Sequence, residues 1–213
     1  DGQEFVIFKN DKNDSCSISS NDITSIIVDA AGDLWIGTYN GLNKYDYKKD
    51  QFTQFLNSAG DSQSISDNSV WAILESHNGD IWAGTANGLN RLDKKTQKFT
   101  RFYHDKQNEN SLSDNYVQGI FEDSEGATWV ATAKGLNKLI LGNNGAVTFK
   151  RYFHQPENPN SLSDNYTQTV TEDLKGDLWI GTKFGGLNRY NRITDSFERF
   201  EHDPANLNSI SNN

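Results

Sequence analysis

The feature that most constrains this chain is a phrase written four times. Gly32-Asp33-Leu34-Trp35-Ile36-Gly37-Thr38 returns as Gly79-Asp80-Ile81-Trp82-Ala83-Gly84-Thr85. It returns again as Gly126-Ala127-Thr128-Trp129-Val130-Ala131-Thr132 and as Gly176-Asp177-Leu178-Trp179-Ile180-Gly181-Thr182. The tryptophans (35, 82, 129, 179) step by 47, 47 and 50 residues. A period of that size, filled with short apolar segments between turn residues, specifies an array of supersecondary units that bury their faces against one another. A chain of 213 residues with 34% hydrophobic content then needs no single large core, only a small one at each joint.

Four segments recur inside the period. An inner stretch (23–28, 70–75, 117–122, 167–172) carries a small residue at its centre: Ser25, Ala72, Gly119 or Thr169. A turn containing Gly32, Gly79, Gly126 or Gly176 leads into the Trp phrase, as a tight hairpin needing a permissive backbone requires. Gly-Leu-Asn, at Gly41, Gly88, Gly135 and Gly186, opens the third segment, and the fourth is an aromatic pair: Phe52/Phe55, Phe99/Phe102, Phe149/Tyr152 and Phe197/Phe200. Helical periodicity is absent. Four short strands per period predict an all-β fold, a β-propeller of four-stranded antiparallel blades.

The phasing divides the chain. Phe5-Val6-Ile7-Phe8 begins 47 residues before Phe52, where the fourth strand of a preceding blade would stand. The expected organisation is an orphan outer strand and linker at 1–16, blades at 17–63, 64–110, 111–160 and 161–208, and the start of a further linker at 209–213. With no methionine anywhere, position 1 included, the chain reads as a piece of a longer polypeptide. An arc of four blades leaves two open sheet faces, and the expected partner is a second copy, in a homodimer that completes a ring.

Several function classes are excluded. A net charge of −9 with scattered Lys and Arg argues against a nucleic-acid partner, which requires a basic stripe. The single Cys16 excludes an internal disulfide and a cysteine-based metal site. No long apolar run is present to insert this segment in a membrane. His104, His154 and His202 occupy one slot in three successive blades, too far apart to share an ion, and read as surface histidines with no metal. Glu122-Asp123 and Glu172-Asp173 also recur by blade and read as acceptors for turn amides. With no nucleophile-base set and no phosphate loop, neither catalysis nor a cofactor is expected.

A binding role singles out different residues. Trp71 breaks the pattern: Thr24, Gln118 and Gln168 fill its slot in the other blades. The loops between second and third segments vary on an otherwise repeated scaffold, which is where specificity resides. They contribute Tyr39, Asn40, Asn87, Lys134, Lys183 and Phe184, and the starts of the inner stretches add Tyr116 and Tyr166. Rings accompanied by Asn and Lys suit an oligosaccharide or another small polar ligand, by stacking and hydrogen bonding.

At Gly-Asp-Leu-Trp-Ile-Gly-Thr, Gly-Leu-Asn-Lys/Arg-Tyr and Ser-Leu-Ser-Asp-Asn, the chain resembles the two-component regulator propeller repeat over nearly its whole length. The resemblance implies a periplasmic, ligand-binding sensor region of a regulator anchored in the bacterial inner membrane, commonly a histidine kinase and often a hybrid one. In that setting the propeller is non-catalytic and passes a signal to a cytoplasmic kinase and phosphorelay. The alternative it implies is a structural protein-interaction or dimerisation propeller serving another output, such as a diguanylate cyclase.

Overall fold

Among the described residues, sixteen strands form four antiparallel sheets, each meandering in chain order. The computed structural model describes residues 5–143 and 145–213, and no helix occurs among them. The first blade comprises β1 (Ile23–Val28), β2 (Leu34–Thr38), β3 (Gly41–Asp46) and β4 (Gln51–Phe55). The second comprises β5 (Val70–Glu75), β6 (Ile81–Thr85), β7 (Gly88–Asp93) and β8 (Lys98–Phe102). The third comprises β9 (Val117–Glu122), β10 (Thr128–Thr132), β11 (Gly135–Leu141) and β12 (Val147–Tyr152). The fourth comprises β13 (Thr167–Glu172), β14 (Leu178–Thr182), β15 (Leu187–Asn191) and β16 (Ser196–Phe200). The all-β propeller blades expected from the repeat are what the chain forms.

Strand alternation makes every blade two-faced, and the joints between blades are the core. Each Trp sits on the face toward the following blade. Trp35 packs with Ile65, Val70, Ile73 and Phe99 of the second blade. Trp82 packs with Leu112, Val117 and Phe149 of the third, and Trp129 with Leu178, Ile180 and Tyr190 of the fourth. Behind each Trp, its cross-strand partner in the Gly-Leu-Asn-Lys/Arg segment places a cation on the indole: Lys44, Arg91, Lys138 and Arg189, at 5.2 to 5.8 Å.

An edge-on aromatic contact recurs at the outer end of each joint. Phe55 meets Phe99 at 5.8 Å, Phe102 meets Phe149 at 6.1 Å, and Tyr152 meets Phe197 at 5.4 Å. Phe8 meets Phe52 in the same way at 5.4 Å. The orphan segment therefore holds its place through this ring. Phe5 to Phe8 pair with no strand among the described residues, and the expected 1–16 unit falls partly outside those residues.

Two glycines are held to glycine by what surrounds them. Gly135 has φ of 112°, and a Cβ on it would stand 2.6 Å from the carbonyl oxygen of Tyr152. A Cβ larger than hydrogen at Gly119 would meet the Gln168 carbonyl oxygen at 2.7 Å, since neighbouring inner strands converge on the axis. The linkers are bound just as closely. Asn43, Asn90, Asn137 and Asn188, all buried, accept the backbone N–H of Ser19, Ser66, Ser113 and Ser163. Arg101, Arg151 and Arg199 on the outer strands donate to the carbonyls of Ser64, Ser111 and Ser161.

The histidines belong to this same system. The Nδ1 of His104 and His154 lies 2.7 Å from the carbonyl oxygens of Leu112 and Leu162, and that of His202 lies 2.8 Å from Ile210. Asn10 and Asn57 bond the carbonyls of Ile18 and Ile65 from the equivalent slot. His104 and His154 are half-buried. They are linker latches, where the sequence pattern suggested surface decoration.

Candidate functional site

The loops between second and third strands and the starts of the inner strands meet at one end of the blades, and backbone hydrogen bonds hold them there. Tyr39, Ala86, Ala133 and Lys183 donate to carbonyls of Asp22, Ser69, Tyr116 and Tyr166 within their own blades. Gly41, Gly88 and Gly135 reach the next blade, donating to Asn68, Asn115 and Asn165. The varied side chains are thus carried on a framework that crosses every joint.

A second device aims them. Every inner strand breaks register near its start, between Ile23 and Ser25, Val70 and Ala72, Val117 and Gly119, and Thr167 and Thr169. Such a bulge re-aims one side chain out of the pleat. The residues at the break are Thr24, Trp71, Gln118 and Gln168. In the first blade Thr24 donates its hydroxyl to the Val70 carbonyl, closing that joint. In the second, the slot presents Trp71.

Around Trp71 the candidate residues come together. Tyr39 packs edge-on against it with centroids 5.1 Å apart, and Tyr116 lies on its other side at 5.7 Å. Gln118 donates to the Tyr166 hydroxyl at 3.4 Å, and Tyr166 meets Phe184 edge-on at 6.4 Å. Lys183 places its ammonium 4.6 Å from the centre of the Tyr166 ring and 5.2 Å from that of Phe184. Two aromatic runs, Tyr39–Trp71–Tyr116 and Tyr166–Phe184, are joined through Gln118 into one belt across the four blades, with a cation at its far end. Burial pushes the Tyr116 hydroxyl above its ordinary pKa, with its hydrogen bond to Gln118 pulling the other way.

The remaining three candidates stand apart from the belt's ring contacts. Lys134 pairs with Asp114 at 3.2 Å. Asn87 is exposed, and its backbone N–H is held by Thr85. Asn40 donates its side-chain amide to the Ser19 carbonyl, so its polar end already has a structural partner.

One atom of the belt is unusual. The indole nitrogen of Trp71 is buried and has no hydrogen-bond partner among the described residues. Trp35, Trp129 and Trp179 each give theirs to an aspartate, Asp29, Asp123 and Asp173, at 2.8 to 3.0 Å. An orphaned buried donor costs about 1–3 kcal/mol, and its ring packs against Tyr39 and Tyr116. The belt offers stacking faces, an ammonium and amide donors, which is the chemistry of binding.

The Glu-Asp pairs do accept turn amides, with a feature that spacing alone does not reveal. Asp123 bonds its own turn, at Glu125 and Ala127. Glu172 reaches back to the preceding blade and accepts the Ser124 N–H at 2.7 Å.

The two component regulator propeller repeat is matched at residues 17–40, 64–87 and 111–134. The chain carries two component regulator propeller repeats. The fourth copy, with its extra residue at Phe184-Gly185-Gly186, falls outside the matched spans. No curated protein matches the chain by sequence. Among solved structures, the chain is similar to an extracellular domain, named for a hybrid two component system, from B. thetaiotaomicron. That likeness has a TM-score of 0.76 at 23% identity and covers 99% of this chain and 26% of the other. It is also similar to virginiamycin B lyase from Staphylococcus aureus, with a TM-score of 0.58 at 18% identity over 85% of this chain and 56% of that one. PorZ, a surface component of the Porphyromonas gingivalis type-IX secretion system, gives 0.61 at 15% identity over 84% and 27%. At these identities the likeness shows the shared propeller fold. The chain spans about a quarter of the first of these and a little over half of the second.

Proposed function

We propose that this chain is a non-catalytic, ligand-binding part of the extracytoplasmic sensor region of a two-component regulator. Its family repeats support that reading, as does its likeness in fold to an extracellular domain named for such a system. No helix among the described residues is long and apolar enough to cross a membrane. The parent on this reading is a histidine kinase held in the bacterial inner membrane, with this segment in the periplasm.

The ligand is a small polar molecule of the oligosaccharide class, bound along the belt from Tyr39 to Phe184. The observation that carries this is the unpartnered Trp71 indole N–H set between Tyr39 and Tyr116. A sugar presents flat C–H faces for the rings and hydroxyl acceptors for Trp71 and Lys183. Binding that favours one arrangement of the regulator over another shifts the signalling equilibrium by the difference in affinity.

Titration of the intrinsic tryptophan fluorescence with a panel of neutral and acidic oligosaccharides tests the reading. Saturable binding that is lost in Tyr116→Ala/Tyr166→Ala supports it. Binding that survives both substitutions refutes the belt as the site.

A further inference from the structure

Away from the belt, aspartates accept from aromatic side chains. Tyr45 gives its O–H to Asp50. Tyr152 and Tyr190 both give theirs to Asp195, at 2.7 and 2.6 Å. The indoles of Trp35, Trp129 and Trp179 go to Asp29, Asp123 and Asp173.

The belt has no such acceptor. Among the described residues, no carboxylate takes the hydroxyl of Tyr39, Tyr116 or Tyr166, and the Trp71 indole N–H is without a partner. The aspartates just before the two inner tyrosines are already engaged. Asp114 and Asp164 accept the backbone N–H of Tyr116 and Tyr166, and Asp114 also pairs with Lys134 at 3.2 Å. These contacts lie at the joints between the second, third and fourth blades, where every neighbouring strand is present.

Gln118 decides what the two hydroxyls can do. Its Nε2 donates to the Tyr166 oxygen at 3.4 Å. Burial raises the Tyr116 hydroxyl and the hydrogen bond to Gln118 lowers it, the sign of an amide N–H given to the phenol oxygen. An amide nitrogen has protons only to give. Both phenol oxygens are thus used as acceptors from within, and both O–H protons are left to donate. Lys183 adds an ammonium 4.6 Å from the centre of the Tyr166 ring, again a donor with no acceptor capacity. A sugar hydroxyl, which gives a proton as well as taking one, is matched by this set only in part. An acid oxygen only accepts, and its bonds to such donors are the strong, charge-assisted ones.

We infer that the ligand of the belt is an acidic oligosaccharide whose carboxylate or sulfate group is held by the Tyr116 and Tyr166 hydroxyls and the Lys183 ammonium. This rests on the belt being the binding site: the rings carry the sugar, and the donors select the acid. The net charge of −9 disfavours an anion over the surface at large, so the selection is local to these groups.

The full chain is titrated, by tryptophan fluorescence, with matched trisaccharides of gluco, galacto and manno configuration. Each is used neutral and with a carboxylate or a sulfate in place of its primary hydroxyls. The wild-type chain is expected to bind an acidic member at least about tenfold more tightly than its neutral parent, and the tighter acidic series identifies the group. In variants the quantity read is the ratio of acidic to neutral affinity, which cancels losses common to both. Tyr116→Phe/Tyr166→Phe keeps the rings and removes both O–H groups, and is expected to bring the ratio within about twofold of unity. Lys183→Gln is expected to lower it by about threefold. Its side chain is exposed, so it serves as the readout if the double variant melts early. Equal affinity for neutral and acidic members overturns the acid assignment and leaves the belt standing, as does a ratio that both variants leave unchanged. Binding of no member overturns the belt as well.

Discussion

Asn90 and Ser66 hold each other by two bonds. The Ser66 N–H donates to Asn90 Oδ1 at 2.8 Å, and Asn90 Nδ2 donates to Ser66 Oγ at 2.8 Å. Asn90 is wholly buried, and its amide also lies 3.1 Å from the Ala83 carbonyl. The third residue of Gly-Leu-Asn therefore ties the incoming linker to the second and third strands of its own blade. Asn90→Ala would leave the buried Ser66 N–H without an acceptor, and a loss of about 2–3 kcal/mol is expected. Urea unfolding monitored by tryptophan fluorescence measures it, and Asn137→Ala should fall in the same range.

The histidine slot makes the opposite prediction. His104 Nδ1 bonds the Leu112 carbonyl, and Asn57 Nδ2 performs the same task on Ile65, each at 2.7 Å. His104→Asn should then cost less than about 0.5 kcal/mol, while His104→Ala, which strands a carbonyl in a half-buried linker, should cost about 1 kcal/mol. Thermal unfolding of the two variants side by side decides it. Equal destabilisation by both would show that the ring, and not the hydrogen bond, matters.

These two cases show what a repeating sequence makes legible. Phe-x-x-Phe, the Trp phrase and Gly-Leu-Asn recur because each serves one backbone geometry in every blade, so spacing alone places strands and turns. The partners of Asn90 or His104 lie 24 and 8 residues away, in linkers whose path follows only from the fold. Trp71 stood out because it broke the pattern, and Tyr39, Tyr116 and Tyr166 because they varied or flanked it. The bulge that turns Trp71 away from the pleat leaves no mark in composition. Nor does the reach of Glu172 to the neighbouring blade, since a glutamate at a strand end looks the same whichever turn it serves.

The buried aspartates Asp29 and Asp123 give the fold a defined acid limit. Burial raises the Asp123 carboxyl, but the Trp129 indole and the Arg192 guanidinium outweigh it and hold the pKa below the ordinary 3.8. Asp29 is lowered in the same manner by Trp35, its own turn and Lys94. A depressed folded pKa contributes stability that is fully present above the unfolded value and is lost as pH falls through the folded one. Unfolding free energy should therefore be flat above about pH 5 and fall steeply below about pH 4. Asp123→Asn should be less stable at neutral pH and show a shallower acid slope. An unchanged slope would mean that other carboxylates set the acid limit.

Two tryptophans, Trp129 and Trp71, make contrasting predictions. Trp129 is wholly buried and donates to Asp123 at 2.8 Å. Trp129→Phe removes a bond to a charged acceptor and should destabilise by about 1.5–3 kcal/mol. Trp71 has the same indole N–H with no acceptor among the described residues, so Trp71→Phe removes an unsatisfied donor while keeping an aromatic ring between Tyr39 and Tyr116. It should leave stability unchanged or raise it by up to about 1 kcal/mol. If the orphaned donor exists for a ligand, the same substitution should weaken oligosaccharide binding, giving a variant that is more stable and less able to bind. Chemical denaturation with the binding titration reads both quantities on one sample. A Trp71→Phe variant that loses stability as Trp129→Phe does would assign Trp71 to packing alone.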